Sequence, residues 1–196
     1  MERKIVQVGE PVLRQRARDL EAAEIRSREI QKLIEDMRET MYKAPGVGLA
    51  APQIGLPLRL AVIEDKAEYT KDAPPEFLKE RERKPVPFHV IINPTIKLLG
   101  EADAAFFEGC LSLEGFTAVV PRARQVKVEC LDHKGRPKVI EASGWYARIL
   151  QHEVDHLYGT VYIDRMQTRT YMDLEHFKQH WKDKPITEVQ RLLGEK

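Results

Sequence analysis

The feature that most constrains this chain is the run Gln151-His152-Glu153-Val154-Asp155-His156, which lies in a segment, about Gly144 to Tyr158, predicted to be helical. Ser143 stands where an N-cap belongs, and Gly159 where a helix ends on a left-handed residue. Residues four apart on a helix share a face, so His152 and His156 can ligate one metal ion while Glu153 comes within reach of a water on it. The alternative is a surface helix with two incidental histidines, which the glutamate and the helical context disfavour.

The chain contains its own control. Glu175-His176-Phe177-Lys178-Gln179-His180 also spaces two histidines by four, but Phe177 stands where the first motif has Glu153. Among Lys178, Lys182 and Lys184 that pair reads as a solvated face. Two histidines also leave a catalytic metal short of its usual three protein ligands and one open position. Glu108-Gly109-Cys110-Leu111-Ser112 offers a thiol, although a lone cysteine is more often a small buried hydrophobe. Cys130, in the alternating stretch Val126 to Leu131, has no glycine or obvious partner beside it and is assigned to structure.

The 196 residues suffice for one full core, so a single domain spanning 1–196 is expected. Lys plus Arg number 32 against 31 Asp plus Glu, and a net charge of +1 provides no field to gather nucleic acid or anionic lipid. Function is therefore sought in a site. Two cysteines and the polar start Met1-Glu2-Arg3-Lys4-Ile5 give no disulfide framework or secretory signal. Apolar runs such as Leu60 to Ile63 fall far short of the ~20 residues that cross a bilayer. A soluble protein of a reducing compartment is expected.

From Ser27 to Lys43, Ile30, Leu33, Ile34, Met37 and Met41 recur at helical spacing behind Ser27 as N-cap, which predicts an amphipathic helix. It runs into Ala44-Pro45-Gly46-Val47-Gly48, where proline stops the helix and glycines permit a backbone path close to a ligand. Leu58 to Glu64 and His89 to Ile92 read as strands, and the charged, proline-bearing stretch from about Lys66 to Pro87 as a surface excursion. Gln125 to Leu131 and Pro137 to Ala142, joined by Asp132-His133-Lys134-Gly135, form a predicted hairpin. Thr160 to Ile163 reads as a strand and Tyr171 to Lys182 as a C-terminal helix. The sum is an α+β fold in which strand groups bracket one internal helix.

Three segments together resemble the signature motifs of the peptide deformylases, in that family's order: Gly46-Val47-Gly48-Leu49-Ala50-Ala51-Pro52-Gln53, Glu108-Gly109-Cys110-Leu111-Ser112 and Gln151 to His156. The similarity extends from about Val8-Gly9-Glu10-Pro11-Val12-Leu13-Arg14 to Asp164. The resemblance implies that Cys110, His152 and His156 bind one divalent metal, that Glu153 is the general acid/base, and that Gln53 and the Leu111 backbone N–H stabilise the oxyanion. It implies that Gly48 meets the substrate backbone and that Val47 and Gly109 also bind substrate. Ferrous iron is the implied metal, with zinc, nickel or cobalt as substitutes; composition and spacing do not choose among them. The implied reaction removes the N-formyl group from the formylmethionine of nascent polypeptides and releases formate. Nascent formylmethionyl peptides are the implied partners and the ribosome a candidate one, with no direct nucleic-acid or membrane binding. The cytoplasm of a bacterium is the expected location, or the mitochondrial matrix or plastid stroma for a mature organellar form.

Ile149 lies three residues before His152 and shares its face, which predicts an apolar wall for a methionine side chain or, alternatively, plain core. Asp155 and Arg122 are further candidates, as a carboxylate orienting a histidine ligand and its cationic partner, or as surface charges. Many bacterial deformylases carry an arginine near the position of Thr117; the excursion after Lys66 and the segment Ala142 to Arg148 look more like the organellar-type branch and its bacterial relatives. Two other classes compete. A zinc metalloprotease shares His-Glu-x-x-His but usually takes its third ligand downstream, whereas Cys110 lies upstream. A partner-binding protein with a structural metal would close the site with four protein ligands, and three are apparent.

Overall fold

The computed structural model of the protein describes residues 1–194. Its helices are α1 (Ala22–Ile25), α2 (Arg28–Lys43), α3 (Pro75–Glu80), α4 (Gly144–Leu157), α5 (Leu174–His180) and α6 (Ile186–Leu193). Its strands are β1 (Gly48–Ala50), β2 (Leu60–Asp65), β3 (Val86–Leu99), β4 (Ala104–Cys110), β5 (Leu113–Arg122), β6 (Gln125–Leu131), β7 (Pro137–Ser143) and β8 (Met172–Asp173). Five antiparallel strands form a sheet in the order β1-β2-β3-β6-β7, and three form a second in the order β4-β5-β8.

Alternation along the first sheet sends side chains to two faces, and each face is covered by a helix. Leu49, Leu60, Val62, Val90 and Ile92 meet Ile30, Leu33, Ile34, Met37 and Met41 of α2. Ala50, Ala61, Ile63, Ile91, Val126 and Val128, one residue out of phase, meet Ala147, Ile149, Leu150, Val154 and Leu157 of α4. Full burial of each large aliphatic side chain contributes roughly 1.5–3 kcal/mol, so α2 and α4 are fixed on opposite sides of one sheet. The second sheet packs Phe106 and Val119 against Ile186 and Val189 of α6, and Ala118 and Val120 against Tyr162.

Helix α4 is enclosed on nearly every side, so its polar side chains need partners inside the protein. The Gln151 amide accepts from the Ala123 N–H at 3.1 Å and donates to the carbonyls of Ala123 and Ala147 at 2.9 and 3.0 Å. Ser143 occupies the N-cap position but makes no side-chain cap bond, whereas Ser27 caps α2 through the Ile30 N–H at 3.2 Å. The hairpin β6–β7 has the expected limits except that β7 runs one residue further, to Ser143, and its turn is held by Asp132 accepting from the N–H groups of Lys134 and Arg136.

Three sequence expectations are revised. Thr160 to Ile163 is not a strand: Asp164 accepts from the Val161 N–H at 2.8 Å, and this local bond folds Tyr162–Asp164 into a 3₁₀ turn. The stretch from Lys66 to Pro87 contains a 3₁₀ turn and α3, and its last two residues already belong to β3. The C-terminal helix begins only at Leu174, because Met172 and Asp173 pair with β5 and Asp173 then caps the helix through the His176 N–H at 2.9 Å.

Gly159 ends α4 with φ +75°, and a Cβ there would lie 2.8 Å from the Arg14 carbonyl, a backbone group that cannot rotate away. Gly55 has φ +82° but nothing within 4 Å of the same position. Gly55→Ala should therefore cost about 1–2 kcal/mol, the left-handed backbone alone, and Gly159→Ala clearly more, both read from urea unfolding.

Candidate metal centre and its cavity

Cys110 ends β4 and the turn Leu111–Ser112 leads directly into β5, where Leu113 pairs back with Cys110. This hairpin lies over α4, so the Cys110 Sγ is 3.3 Å from the His156 Nε2. Ligand atoms of Cys110, His152 and His156 all lie within 4.8 Å of one another. Among the described residues no other group of three or more His, Cys, Asp or Glu converges this way. Cys130 is buried on the α4 side of β6, and burial pushes its thiol pKa up. His176 is exposed, and its Nδ1 is taken by Asp173 at 2.7 Å.

Glu108, on β4 just before the thiol, organises the second layer of the centre. It is buried, accepts from Arg122 Nε and Nη2 at 3.0 and 2.9 Å, and from Arg148 Nη1 at 2.6 Å. Its Oε2 also lies 3.1 Å from His152 Nδ1. An ionised carboxylate only accepts, so Nδ1 carries the hydrogen, and in the neutral ring Nε2 keeps the lone pair a metal needs. Asp155 does pair with Arg122, at 2.5 Å, and with Arg165 Nε at 2.7 Å. The carboxylate on the histidine, however, is Glu108.

A cavity of about 850 Å³ opens over the centre, lined among others by Val47, Gly48, Gln53, Gly109, Leu111, Ile149 and Glu153. The expected site residues thus converge, with His156 behind the cavity wall. Gln53 sits in the 3₁₀ turn after β1; its Oε1 accepts from the Ala50 N–H at 2.8 Å, which turns its Nε2 toward the Cys110 Sγ at 3.5 Å. Gly48 is required by Glu153: a Cβ there would lie 2.5 Å from the Glu153 Cδ. Gly109 has no such constraint, its nearest neighbour being a backbone oxygen at 3.7 Å. Ile149 is buried and also lines the cavity, so core and wall are the same residue. Thr117 points away, donating to the Glu108 carbonyl at 2.8 Å, and Phe116 lines the cavity instead.

Burial pushes Glu153 up to about 7, with the negative Glu108 adding to the shift and His152 and Arg122 opposing it. The Glu153 Oε2 is buried with no hydrogen-bond partner, as is the His156 Nδ1. Burial also opposes ionisation of Glu108, yet Arg122, His152 and Arg148 hold it well below the usual carboxylate range. A thiol, two imidazoles and a cavity-lining carboxylate with one oxygen unpartnered fit a catalytic divalent ion better than a closed structural one.

The polypeptide deformylase family model matches residues 2–171. The chain belongs to the polypeptide deformylase family. It is 52% identical to the chloroplastic peptide deformylase 1A of Solanum lycopersicum over 88% of its own length, and spans 62% of that protein. It is 46% identical to peptide deformylase 1 of Bifidobacterium longum, over 97% of this chain and 85% of that one. The Met-Ala-Ser-bound crystal structure of the class I type b peptide deformylase from Acinetobacter baumannii superposes with a TM-score of 0.72 at 31% identity, covering 85% of this chain and 99% of the other. Deformylases are metal-dependent hydrolases that take the formyl group from nascent peptides, and these matches favour neither the protease nor the partner-binding reading.

Deformylase motifs contain Glu108, but the sequence alone did not separate it from its neighbours. The available signal was Arg148, a cation one helical turn before His152 on a helix predicted to be internal. Replacing Glu108 by Gln removes the charge shared by two buried guanidinium groups. Loss of one partner from such a buried group typically costs about 3–5 kcal/mol, and urea unfolding of Glu108→Gln should show a loss in that range.

Proposed function

We propose that this chain removes the formyl group from the N-terminal formylmethionine of nascent polypeptides, with one divalent ion held by Cys110, His152 and His156. The observation that carries the reading is Glu153, beside two histidines in the cavity lining with one carboxylate oxygen, Oε2, buried without a partner. One thiolate and two imidazoles make a donor set suited to iron or zinc, and ferrous iron, implied by the family resemblance, is the ion we assign. Such an ion, when bound, acidifies water from a pKa of about 15.7 toward 7 and polarises a carbonyl.

The chain's own groups do the rest. Glu153 takes the proton of the attacking water and returns it to the amine nitrogen as the C–N bond breaks, so that formate and a free amino terminus leave. Charge grows on the formyl oxygen during attack, and the Gln53 Nε2 and the Leu111 N–H are the donors assigned to it. Val47, Gly48 and Gly109 present backbone along the cavity for the peptide, and Ile149 with Phe107 and Trp145 walls the space for the methionine side chain. The Met-Ala-Ser peptide in the Acinetobacter baumannii structure has the sequence such a reaction would leave.

In this reading the chain is one catalytic domain that meets its substrates as they emerge from ribosomes. It works in a bacterial cytoplasm, a mitochondrial matrix or a plastid stroma. Its near-neutral charge supports recognition of the peptide rather than of nucleic acid or membrane. The decisive variant is Glu153→Gln, purified without oxygen and assayed on formyl-Met-Ala-Ser. It should keep a full metal equivalent while kcat falls by ~10² to 10⁴. Near-parental turnover, or metal loss equal to that of His152→Ala, would contradict the role.

A further inference from the structure

The two donors assigned to the formyl oxygen come from unconnected parts of the chain, Gln53 from the turn after β1 and Leu111 from the β4–β5 turn. Their direct link is the long contact of the Gln53 Nε2 with the Cys110 Sγ at 3.5 Å, a weak tether for setting the distance between the two donors. Catalysis of this kind is sensitive to such placement, and a misplacement of about 1 Å can cost 10²-fold in rate.

The Leu111–Ser112 turn is also poorly suited to hold itself. Two-residue hairpin loops match strand twist best when one or both residues have positive φ. Neither Leu111 nor Ser112 does. Contacts from outside the hairpin therefore add to the Cys110–Leu113 pairing and the packing of Leu111 in holding it.

The N-terminal segment before the 3₁₀ turn Pro11–Arg14 makes that connection. The Val6 N–H donates to the Gln53 carbonyl at 2.9 Å and the Val8 N–H to the Ser112 carbonyl at 2.8 Å. Between them, the Gln7 side chain reaches the turn from both sides. Its Nε2 donates to the Leu111 carbonyl at 3.0 Å, and its Oε1 accepts from the Glu114 N–H at 3.1 Å. A primary amide supplies donor and acceptor together without a change of protonation, and only one flip of it satisfies both bonds. Gln7 lines the same cavity as Gln53 and Leu111.

We infer that Gln7 is a positioning residue: its amide clamps the Leu111–Ser112 turn while the backbone on either side of it ties that turn to Gln53, setting the distance between the two oxyanion donors. The inference rests on the roles proposed above for those donors. It assigns to the segment around Val8-Gly9-Glu10-Pro11 a part in the chemistry although none of its residues meets the metal ligands.

Gln7→Met keeps the length of the side chain and removes both bonds. Metal-loaded Gln7→Met should show kcat on formyl-Met-Ala-Ser lower by about tenfold to a hundredfold, less than the 10²–10³ typical of deleting a donor outright. KM should change less than about twofold and metal content should be unchanged, because the clamp acts on the turn and not on the ligands. Amide hydrogen exchange at Leu111 to Glu114 should accelerate by about fivefold or more, the equivalent of one lost hydrogen bond. A kcat within twofold of the parent, or a fall in kcat matched by loss of metal, would overturn the inference. If the parent itself left formyl-Met-Ala-Ser untouched, the proposed function would fail, and exchange at Leu111 to Glu114 would still decide the clamp, unchanged exchange refuting it.

Discussion

A carboxylate buried between two guanidinium groups and an imidazole is stable only where every oxygen lone pair is used, and Glu108 meets that condition. Arg122 comes from β5, Arg148 and His152 from α4, and Glu108 itself from β4, so one side chain joins the small sheet to the central helix. Arg148 extends the tie by donating to the carbonyls of Val120 and Ala104. The same contacts that lock the hairpin onto the helix also fix the ring of His152 and leave its Nε2 toward Cys110 and His156. Fold and ligand geometry are here one network of hydrogen bonds, which explains how a thiol on a strand can share a site with two histidines on a helix.

The larger sheet supplies the other half of the site. Because α4 packs on the face opposite α2, the edge strand β1 runs beside the ligand turn of α4, and Glu153 fills the space that Gly48 leaves. The Glu153 carboxylate is thereby pressed into a buried position at the cavity with one oxygen unpartnered. Burial of this kind opposes stability, and it is sustained by the surrounding aliphatic core. Such a local conflict between packing and polarity is what a site for chemistry looks like in an otherwise consistent structure.

Helix α4, helix α2 and the β6–β7 hairpin were legible in the sequence because their signals are local: caps, four-residue spacing, and an Asp-x-x-Gly turn. Strand β5 was not, since Ala118, Val119 and Val120 are buried in succession and a run covered on both faces shows no alternation. Helix α6 leaves little signal in the sequence because its eight residues follow Pro185 in a charged tail. The grouping of Cys110 with His152 and His156 was legible from helical spacing and from the motif order of the family resemblance. Glu108 stood in a motif, but its weight comes from Arg122, Arg148 and His152, and a buried pairing across sheets leaves no periodic trace. Gln7 bonds a residue 104 positions away, a relation that exists only once the chain has folded.

The central claim is that one strand thiol and two helix imidazoles share a single open metal position. X-ray absorption of protein loaded with one equivalent of ferrous iron under anaerobic conditions addresses that directly. The account predicts one sulfur scatterer near ~2.3 Å together with nitrogen and oxygen donors near ~2.1 Å, as for mixed thiolate and imidazole sites, and loss of the sulfur shell in Cys110→Ser. A first shell without sulfur, or one in which the sulfur survives Cys110→Ser, would contradict it.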